Sequence, residues 1–313
     1  MFRPLIVIKR IPSIDFMKYH WLGFAFSGVL TVGSIVLFLT AGLNYGIDFS
    51  GGTIIEARTQ GPANLADMRA QLDTLGLGEV QLQGFGAPDE VLIRFPRQPG
   101  DDKAQEAAVA KVHQKLGNSI EYRRTEVVGP TVGGELIRAG VIATILALLA
   151  IAAYVWFRFE WQFGIGAMLS TLHDTITTVG LFSLLQVEFN LTTLAAILTI
   201  AGYSVNDTVV IYDRVRETLR KNRTMELGAL INKSLNETLS RTILTVSTVA
   251  LAVLSLLIFG GEVLRGFSIA MLWGIVIGTY SSLFIAAPLL FYIRPKRAPA
   301  PRAGAVTEAE EAP

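Results

Sequence analysis

An acid inside an apolar helix is the feature that most constrains this chain. Residues 197–216 read ILTIAGYSVNDTVVIYDRVR, and they place Asn206, Asp207 and Thr208 before the apolar pattern ends. An ionised carboxylate within a membrane helix costs roughly 2.5–3.5 kcal/mol on insertion scales, so it persists where it faces a polar cavity, has a partner or binds a proton. We interpret Asp207 as a proton or ion site. The alternative is that Asp207 marks the cytosolic end of the span.

Long apolar windows predict a polytopic α-helical membrane protein with six transmembrane helices. Hydrophobic residues make up 51% of the 313 residues, and the mean hydropathy is +0.47. Windows of this length and apolarity are typical of membrane spans. Acids occur in the third and fourth windows, as Asp174 and Asp207. The six windows are 21–41, 139–157, 163–185, 191–212, 242–259 and 268–292.

Basic residues dominate every second connection, which predicts that both termini lie in the cytosol. Examples are Arg3, Lys9, Arg10 and Lys18 before the first window, and Arg214, Arg216, Arg220, Lys221, Arg223 and Lys233 after the fourth. The predicted order is a cytosolic N-terminal segment (1–20), transmembrane helix 1 (21–41), an extracytoplasmic domain (42–136), transmembrane helices 2–6 (137–293) with a basic cytosolic loop at about 213–240, and a disordered cytosolic tail (294–313).

The segment between the first two windows has the pattern of a soluble α+β domain. Strands are predicted at 52–59, 79–85, 90–95 and 120–128, where β-branched or alternating residues occur. Asn64 is predicted to cap a first helix, and Asp101 or Asp102 a second one that ends before Gly117. The resulting βαββαβ order is that of a ferredoxin-like domain.

Several classes of function find no support in the sequence. Without cysteine there is neither a disulfide nor a thiolate metal site, and the three histidines form no recognisable metal motif. The nucleotide-binding pattern GxxxxGK[ST] does not occur. We therefore expect no metal, no cofactor, no catalytic residues and no enzymatic activity. The net charge of +1 gives no indication of nucleic-acid binding.

Arg241 is the natural counterpart of Asp207. It precedes the fifth window, and a helix starting near Lys233 would place it about two turns inside, at a depth similar to that of Asp207. Because arginine keeps its charge, movement of Arg241 would change how strongly the Asp207 carboxyl group holds a proton. The alternative is a side chain that extends to the inner membrane surface.

Three other polar residues lie in or near the windows. His173 and Asp174 interrupt the third window and point in different directions on a helix, so at most one should face a given partner. One of them could take part in a proton relay; the alternative is that they hold helices together by hydrogen bonds. Asp213 is interpreted as the end of the fourth span.

The stretch Asp48, Phe49, Ser50, Gly51 and Gly52 predicts by itself a tight turn leading into a strand. It also resembles the D-F-[ST]-G-G signature of the SecD and SecF protein-export subunits. Residues 202–217 and 235–242, as well as His173 with Asp174, are similar to the SecF branch of that family. Several motifs in the same order make the resemblance specific, and it covers nearly the whole chain apart from the tail.

This resemblance implies one half of a transporter of the resistance-nodulation-division superfamily. Its subunits use the proton-motive force to promote preprotein translocation through the Sec channel. The resemblance places Asp207 and Arg241 at proton-conducting positions and makes 48–52 a hinge of the external domain. The remaining polar residues are interpreted as candidate relay residues or as polar contacts between helices; they are His173, Asp174, Asn206, Thr208 and Asp213.

The partners implied are a SecD-like subunit, the SecYEG channel and preproteins, in the bacterial cytoplasmic (inner) membrane. Two other functions stay open on the sequence. An exporter of small molecules or lipids would be expected to have a second large external domain and about twelve spans in one chain. A scaffold without transport activity would leave Asp207 without a role. The coupling ion, proton or sodium, is also open.

Overall fold

The structure, a computed structural model, describes residues 14–78, 80–84, 86–117 and 120–295. Arg3, Lys9, Arg10 and the tail from Ala298 lie outside these residues, as do most of the predicted segments 1–20 and 294–313. The chain is mostly helical. In chain order the helices are α1 (His20–Ala41), α2 (Ile47–Ser50), α3 (Leu65–Asp73), α4 (Asp102–Leu116), α5 (Pro130–Arg158), α6 (Trp161–Leu185), α7 (Leu191–Lys221), α8 (Leu227–Phe259), α9 (Gly261–Ser281) and α10 (Ala287–Ile293), with a π-helical segment (Ser282–Ala286) between the last two.

A small antiparallel sheet forms between α1 and α5. Its strands are β1 (Gly52–Thr59), β2 (Gln81–Gly84), β3 (Glu90–Pro96) and β4 (Ile120–Val128), in the spatial order β2-β3-β1-β4. The predicted strands at 52–59 and 120–128 have the observed bounds, and β3 is one residue longer than predicted. The second strand is shorter than predicted, and Glu79 and Phe85 lie outside the described residues.

The helices of this domain begin at the predicted caps. The Asn64 side chain accepts a hydrogen bond from the Asp67 N–H at 3.3 Å, and Asp101 accepts one from the Ala104 N–H at 3.3 Å. Both helices place their apolar faces on the alternating apolar side chains of the sheet, where Leu72 and Val112 are fully buried. The last strand, β4, ends at Val128 and α5 starts at Pro130, so the first residues of α5 fall within the predicted domain range of 42–136.

Five described helical segments are long and apolar enough to cross a membrane. They are His20–Ala41, Val132–Arg158, Leu191–Lys221, Leu227–Phe259 and Leu264–Ile293. The helix α6, predicted as the third span, is not among them, because many of its interior residues are hydroxyl-bearing and it contains His173 and Asp174. It packs against α1, α5, α7 and α9. Its polar residues are buried against these helices, while apolar residues such as Met168, Leu172 and Leu184 are exposed.

The predicted cytosolic loop at about 213–240 is mostly helical. The helix α7 continues through the charged residues to Lys221, and α8 starts at Leu227, which leaves a short connection at 222–226. Charged residues interrupt a membrane window but not a helix, because a helix outside the hydrocarbon bonds its own backbone equally well. Arg241 therefore lies fourteen residues after the start of α8, about four turns rather than the predicted two.

Two asparagines on α8 hold the segment before α1. The Asn236 side chain accepts a hydrogen bond from the Ile14 N–H and donates one to the Ile14 carbonyl oxygen, both at 2.8 Å. Asn232 accepts a hydrogen bond from the Phe16 N–H at 2.8 Å. Phe16 is buried in the core formed by α7, α8 and the C-terminal helix. We call residues 14–16 the N-terminal strap.

We predict that Gly180 on α6 sets the approach of α1. A Cβ atom at this position would collide with the backbone and side chain of Ser34. The substitution G180A should lower the unfolding free energy by about 1–3 kcal/mol, as overpacking does. The control is G28A on α1, where no atom lies within 4 Å of the new methyl group. Thermal unfolding in detergent measures both variants, and equal stability of the two would contradict this packing.

Candidate functional site

The helix α7 carries polar residues on two faces. Ser204, Thr208 and Tyr212 follow one another at intervals of four residues, so they share one face, and all three are buried. Asn206 and Asp207 lie on other faces of the helix, with Asn206 exposed and Asp207 partly buried. The buried face contacts α6 and the C-terminal helical segments. The second polar face is directed towards α8 and the open side of the chain.

Asp207 lies sixteen residues after the start of α7, about 24 Å along the helix. Its Oδ1 atom accepts a hydrogen bond of 2.8 Å from the Thr242 hydroxyl group on α8. Its Oδ2 atom is buried and has no hydrogen-bond partner among the described residues. One carboxylate oxygen is thus bonded and the other is left without a donor.

Arg241 precedes Thr242 on α8, so the predicted pair does lie on neighbouring helices at the same level. Its charge is near enough to act on the Asp207 carboxyl group. The two side chains nevertheless form no ion pair within 4.0 Å in the described part of the chain, and the Arg241 side chain is exposed. Asp207 is bonded to α8 through Thr242 instead.

His173 and Asp174 are buried in the centre of the helix bundle. Their side chains contact one another, with 3.0 Å between His173 Nδ1 and Asp174 Oδ1, although neighbouring positions on a helix were expected to point apart. The Asp174 Oδ2 atom accepts hydrogen bonds from Ser204 on α7 at 2.6 Å and from Ser281 on α9 at 2.8 Å. These contacts join three helices at one carboxyl group. A role for His173 or Asp174 in a relay stays a prediction.

The π-helical segment Ser282–Ala286 is bonded to the same face of α7. The Thr208 and Ser282 hydroxyl groups lie 2.7 Å apart, and the Tyr212 hydroxyl group donates to the Ala286 carbonyl oxygen at 3.1 Å. A π-helical turn shifts the backbone hydrogen-bond register by one residue and is found frequently at functional sites. Here a fully buried tyrosine bonds a carbonyl oxygen within the irregular stretch.

Asp213 lies in the C-terminal half of α7 and contacts α5. The Arg158 Nη2 atom is 3.1 Å from Asp213 Oδ1 and 3.2 Å from Oδ2, and both side chains are largely exposed. Exposed ion pairs contribute about 0–1 kcal/mol to stability. Asp213 is therefore held at the surface, one turn and a half after Asp207.

The stretch 48–52 contains a short helix followed by two glycines. The Asp48 Oδ2 atom accepts a hydrogen bond of 2.9 Å from the Leu191 N–H, which is the first residue of α7. Gly51 and Gly52 have φ angles of 73° and 140°, which residues other than glycine rarely adopt. The predicted turn into β1 is present, and it is also attached to the membrane helices.

Sequence reasoning missed the hydroxyl groups that surround the acids. Thr242 on Asp207 was overlooked, as were the serines that bond Asp174. The signal that could have found them is the presence of small hydroxyl residues within apolar windows, which commonly mark helix contacts in membranes. These residues are Ser170, Ser204, Thr242, Ser281 and Ser282.

Comparisons with known proteins agree with this architecture. The family profile described as protein export membrane protein SecD/SecF, C-terminal, matches residues 108–296, and the SecD/SecF GG motif matches residues 36–63. The protein translocase subunit SecF of Rickettsia felis is 46% identical over 289 residues, which cover 92% of this chain and 94% of the relative. The corresponding subunit of Rickettsia conorii is 45% identical over the same lengths.

Solved structures give the same result. The crystal structure of SecDF, a translocon-associated membrane protein from Thermus thermophilus, matches with a TM-score of 0.79 and 35% identity. SecDF in a super-membrane-facing form matches with a TM-score of 0.70 and 34% identity. In each case 93% of this chain is covered, and the chain spans 40% of the length of the solved protein.

The fold and the buried acids define a multi-pass membrane protein with a small α+β domain inserted after its first membrane helix. The match to the family profile and to relatives over nearly the whole chain then shows the family. This chain belongs to the SecD/SecF family of protein export membrane proteins.

We predict that Ser281 stabilises the helix bundle through Asp174. The substitution S281A removes one donor from a fully buried carboxyl group and should cost about 1–3 kcal/mol of unfolding free energy. The control is S255A on α8, where the exposed hydroxyl group bonds only the Leu251 carbonyl oxygen of its own helix. S255A should change stability by less than about 0.5 kcal/mol. Chemical unfolding in detergent measures both, and a neutral S281A would show that Asp174 does not need this donor.

Proposed function

We propose that this chain is the SecF-type half of a bacterial protein-export complex, and that a proton binding at Asp207 drives movement of the external domain. The observation that carries the proposal is the Oδ2 atom of Asp207, which is buried and lacks a donor among the described residues. Relatives that are 45–46% identical are protein translocase subunits, which supports the role in export.

The Asp207 environment suits a group that changes its protonation state. A buried acceptor without a donor costs about 1–3 kcal/mol and an unpaired buried charge costs more, so a proton on Oδ2 would remove the larger of the two costs. When the proton leaves, the remaining charge has Thr242 as a hydrogen-bond donor and Arg241 as a nearby cation. Rotation of the exposed Arg241 side chain towards Asp207 would favour the charged carboxylate.

The membrane gradient supplies enough energy for such a cycle. One proton moving through 100 mV releases about 2.3 kcal/mol. This is comparable with the free energy of a few hydrogen bonds, and several protons would therefore move a domain between two docked positions. Arg241 keeps its positive charge, so the carboxylate that remains when each proton leaves has a nearby counter-ion.

The open side of the chain fits a second, SecD-like half. Asn206 and Arg241 are exposed, and polar side chains at membrane depth need an apposed protein surface. The solved SecDF chains continue well beyond the part that this chain matches, which supports a partner of comparable architecture. We propose that six spans, α6 included, form half of a twelve-span unit in the bacterial inner membrane, with SecYEG and preproteins as further partners.

The topology predicted here has both termini in the cytosol and the sheet outside. Single cysteines at Gln71 on α3 and at Thr224 between α7 and α8 would report the two sides, and the chain has no cysteine of its own. An impermeant maleimide should label Q71C from the outside of intact cells and T224C only in inverted vesicles. Labelling of both from one side would contradict the topology.

The proton role of Asp207 is tested by export under an imposed gradient. D207N keeps the shape and an acceptor for Thr242 but cannot exchange a proton. We expect D207N to assemble normally and to export at the level that the parent shows with an ionophore. R241M should give a similar loss, because the carboxyl group then lacks its counter-charge.

The matched control is D213N on the same helix as Asp207, which breaks the exposed pair between Asp213 and Arg158 of α5. It should keep most of the ionophore-sensitive export. If D207N keeps an ionophore-sensitive gain equal to that of the parent, Asp207 is not the proton site. A loss in D213N as large as in D207N would indicate that any change in the charge of α7 disturbs export.

A further inference from the structure

The loop between α6 and α7 is bonded directly to the segment that leads into the external domain. The Gly46 N–H donates to the Phe189 carbonyl oxygen at 2.9 Å, and the Phe189 N–H donates to the Asn44 carbonyl oxygen at 2.7 Å. Asn44 Nδ2 also donates to the Gln186 carbonyl oxygen at 3.0 Å. The loop and the segment therefore form a short stretch of paired backbone, which we call the collar (residues 44–48 and 186–191).

Asp48 fixes the collar to α7 itself. Its carboxylate accepts the Leu191 N–H, one of the first N–H groups of α7 that have no partner within the helix. A carboxylate at a helix N-terminus is also favoured by the helix dipole. The helix that is capped in this way is the one that carries Asp207. A shift of α7 would therefore move Asp48 with it.

Aromatic packing closes the collar on its other side. The rings of Phe49 and Phe189 are stacked with their centroids 5.8 Å apart, and both are buried. A Cβ atom at Gly133 of α5 would collide with the Phe49 carbonyl group, so α5 also lies directly against this segment. The short helix α2 is thus part of the membrane body, and we take the two positive-φ glycines that follow it, Gly51 and Gly52, as the pivot.

Beyond this pivot, the sheet contacts the same loop through an ion pair. Arg94 on β3 bonds the Glu188 carboxylate, and each side chain is 23% exposed. Arg94 pairs with Ile54 and Gln81 in the sheet, so it moves with the external domain. Glu188 lies three residues before α7 and moves with the membrane body. The ion pair therefore spans the two bodies that the two glycines join.

We propose that Asp48 and Glu188 are positioning residues for transport, Asp48 by anchoring the hinge segment on α7 and Glu188 by docking Arg94 in one position of the external domain. This inference rests on the proposed function. During the transport cycle, the Arg94–Glu188 pair separates when the external domain rotates about Gly51–Gly52, and the collar stays closed. A partly exposed ion pair suits this role, because the energy needed to separate its two charges is small.

Charge exchange tests the docking pair. R94E and E188R each bring like charges together and should lose most of the ionophore-sensitive export, whereas the double variant R94E/E188R should regain it. The matched control is the pair of Arg123 and Glu90, which are 2.5 Å apart within the sheet and do not reach the membrane body. Exchange of that pair should leave the export gain unchanged. Loss in the single variants without recovery in the double variant would overturn the pairing.

Cross-linking tests whether the pair must open. Cysteines at 94 and 188, joined by a reducible bismaleimide, should stop the ionophore-sensitive export, and reduction should return it to the level of the same variant before cross-linking. The control is the same variant treated with a monofunctional maleimide, which modifies both cysteines without joining them and should not stop export. Export at the parental level with 94 and 188 cross-linked would overturn the proposal, because the pair would then never separate.

Asp48 is tested by D48N and D48A in the same assay. Asparagine keeps an oxygen acceptor for the Leu191 N–H and should retain most of the gain, whereas alanine should lose it while export with an ionophore stays at the parental level. A D48A variant with a full gain would overturn the anchor. The D207N variant, measured in parallel, separates the two proposals, because a full gain there refutes the proton role whatever the hinge variants do.

Discussion

The packing of the membrane helices depends on how the Asp174 carboxyl group is held. A polar group without hydrogen bonds costs several kcal/mol in an apolar interior, and an isolated charge costs far more. Contacts from His173, Ser204 and Ser281 meet this need from α6, α7 and α9. Because each donor must lie at the right height and rotation, one side chain fixes the register of three helices. The helix α6 can then carry polar residues, since these are buried against its neighbours while apolar residues such as Leu172 and Leu184 are exposed.

The helix α7 combines a fixed face with an open one. Ser204, Thr208 and Tyr212 bond it to α6 and to the C-terminal segments. Asp207 lies on the other face, and its Oδ2 atom has no hydrogen-bond donor among the described residues. Its 31 residues extend over about 46 Å. A change of charge near its middle therefore acts on a continuous helix whose first N–H is bonded to Asp48. In the proposed mechanism, α7 connects the change of charge at Asp207 with movement at Asp48.

The sequence predicted those features that depend on local patterns. The β-branched residues placed β1 and alternation placed β3, and Asn64 and Asp101 marked the helix starts, because caps act within three residues. Contacts between distant residues could not be predicted, since they depend on side-chain geometry. Asp48 bonds a residue 143 positions away, and Arg241 forms no ion pair with Asp207 among the described residues although the spacing of both suggested one.

The N-terminal strap has a consequence for how the chain assembles in the membrane. Asn236 bonds Ile14 across 222 residues, so the contact forms only after α8 has been synthesised and inserted. Until then the strap leaves Phe16 outside the core that later buries it. Closing so long a loop costs little more entropy than closing a moderately long one. Burial of Phe16 is therefore a late event in biogenesis, which occurs only once α8, the fifth predicted span, has packed against the other helices.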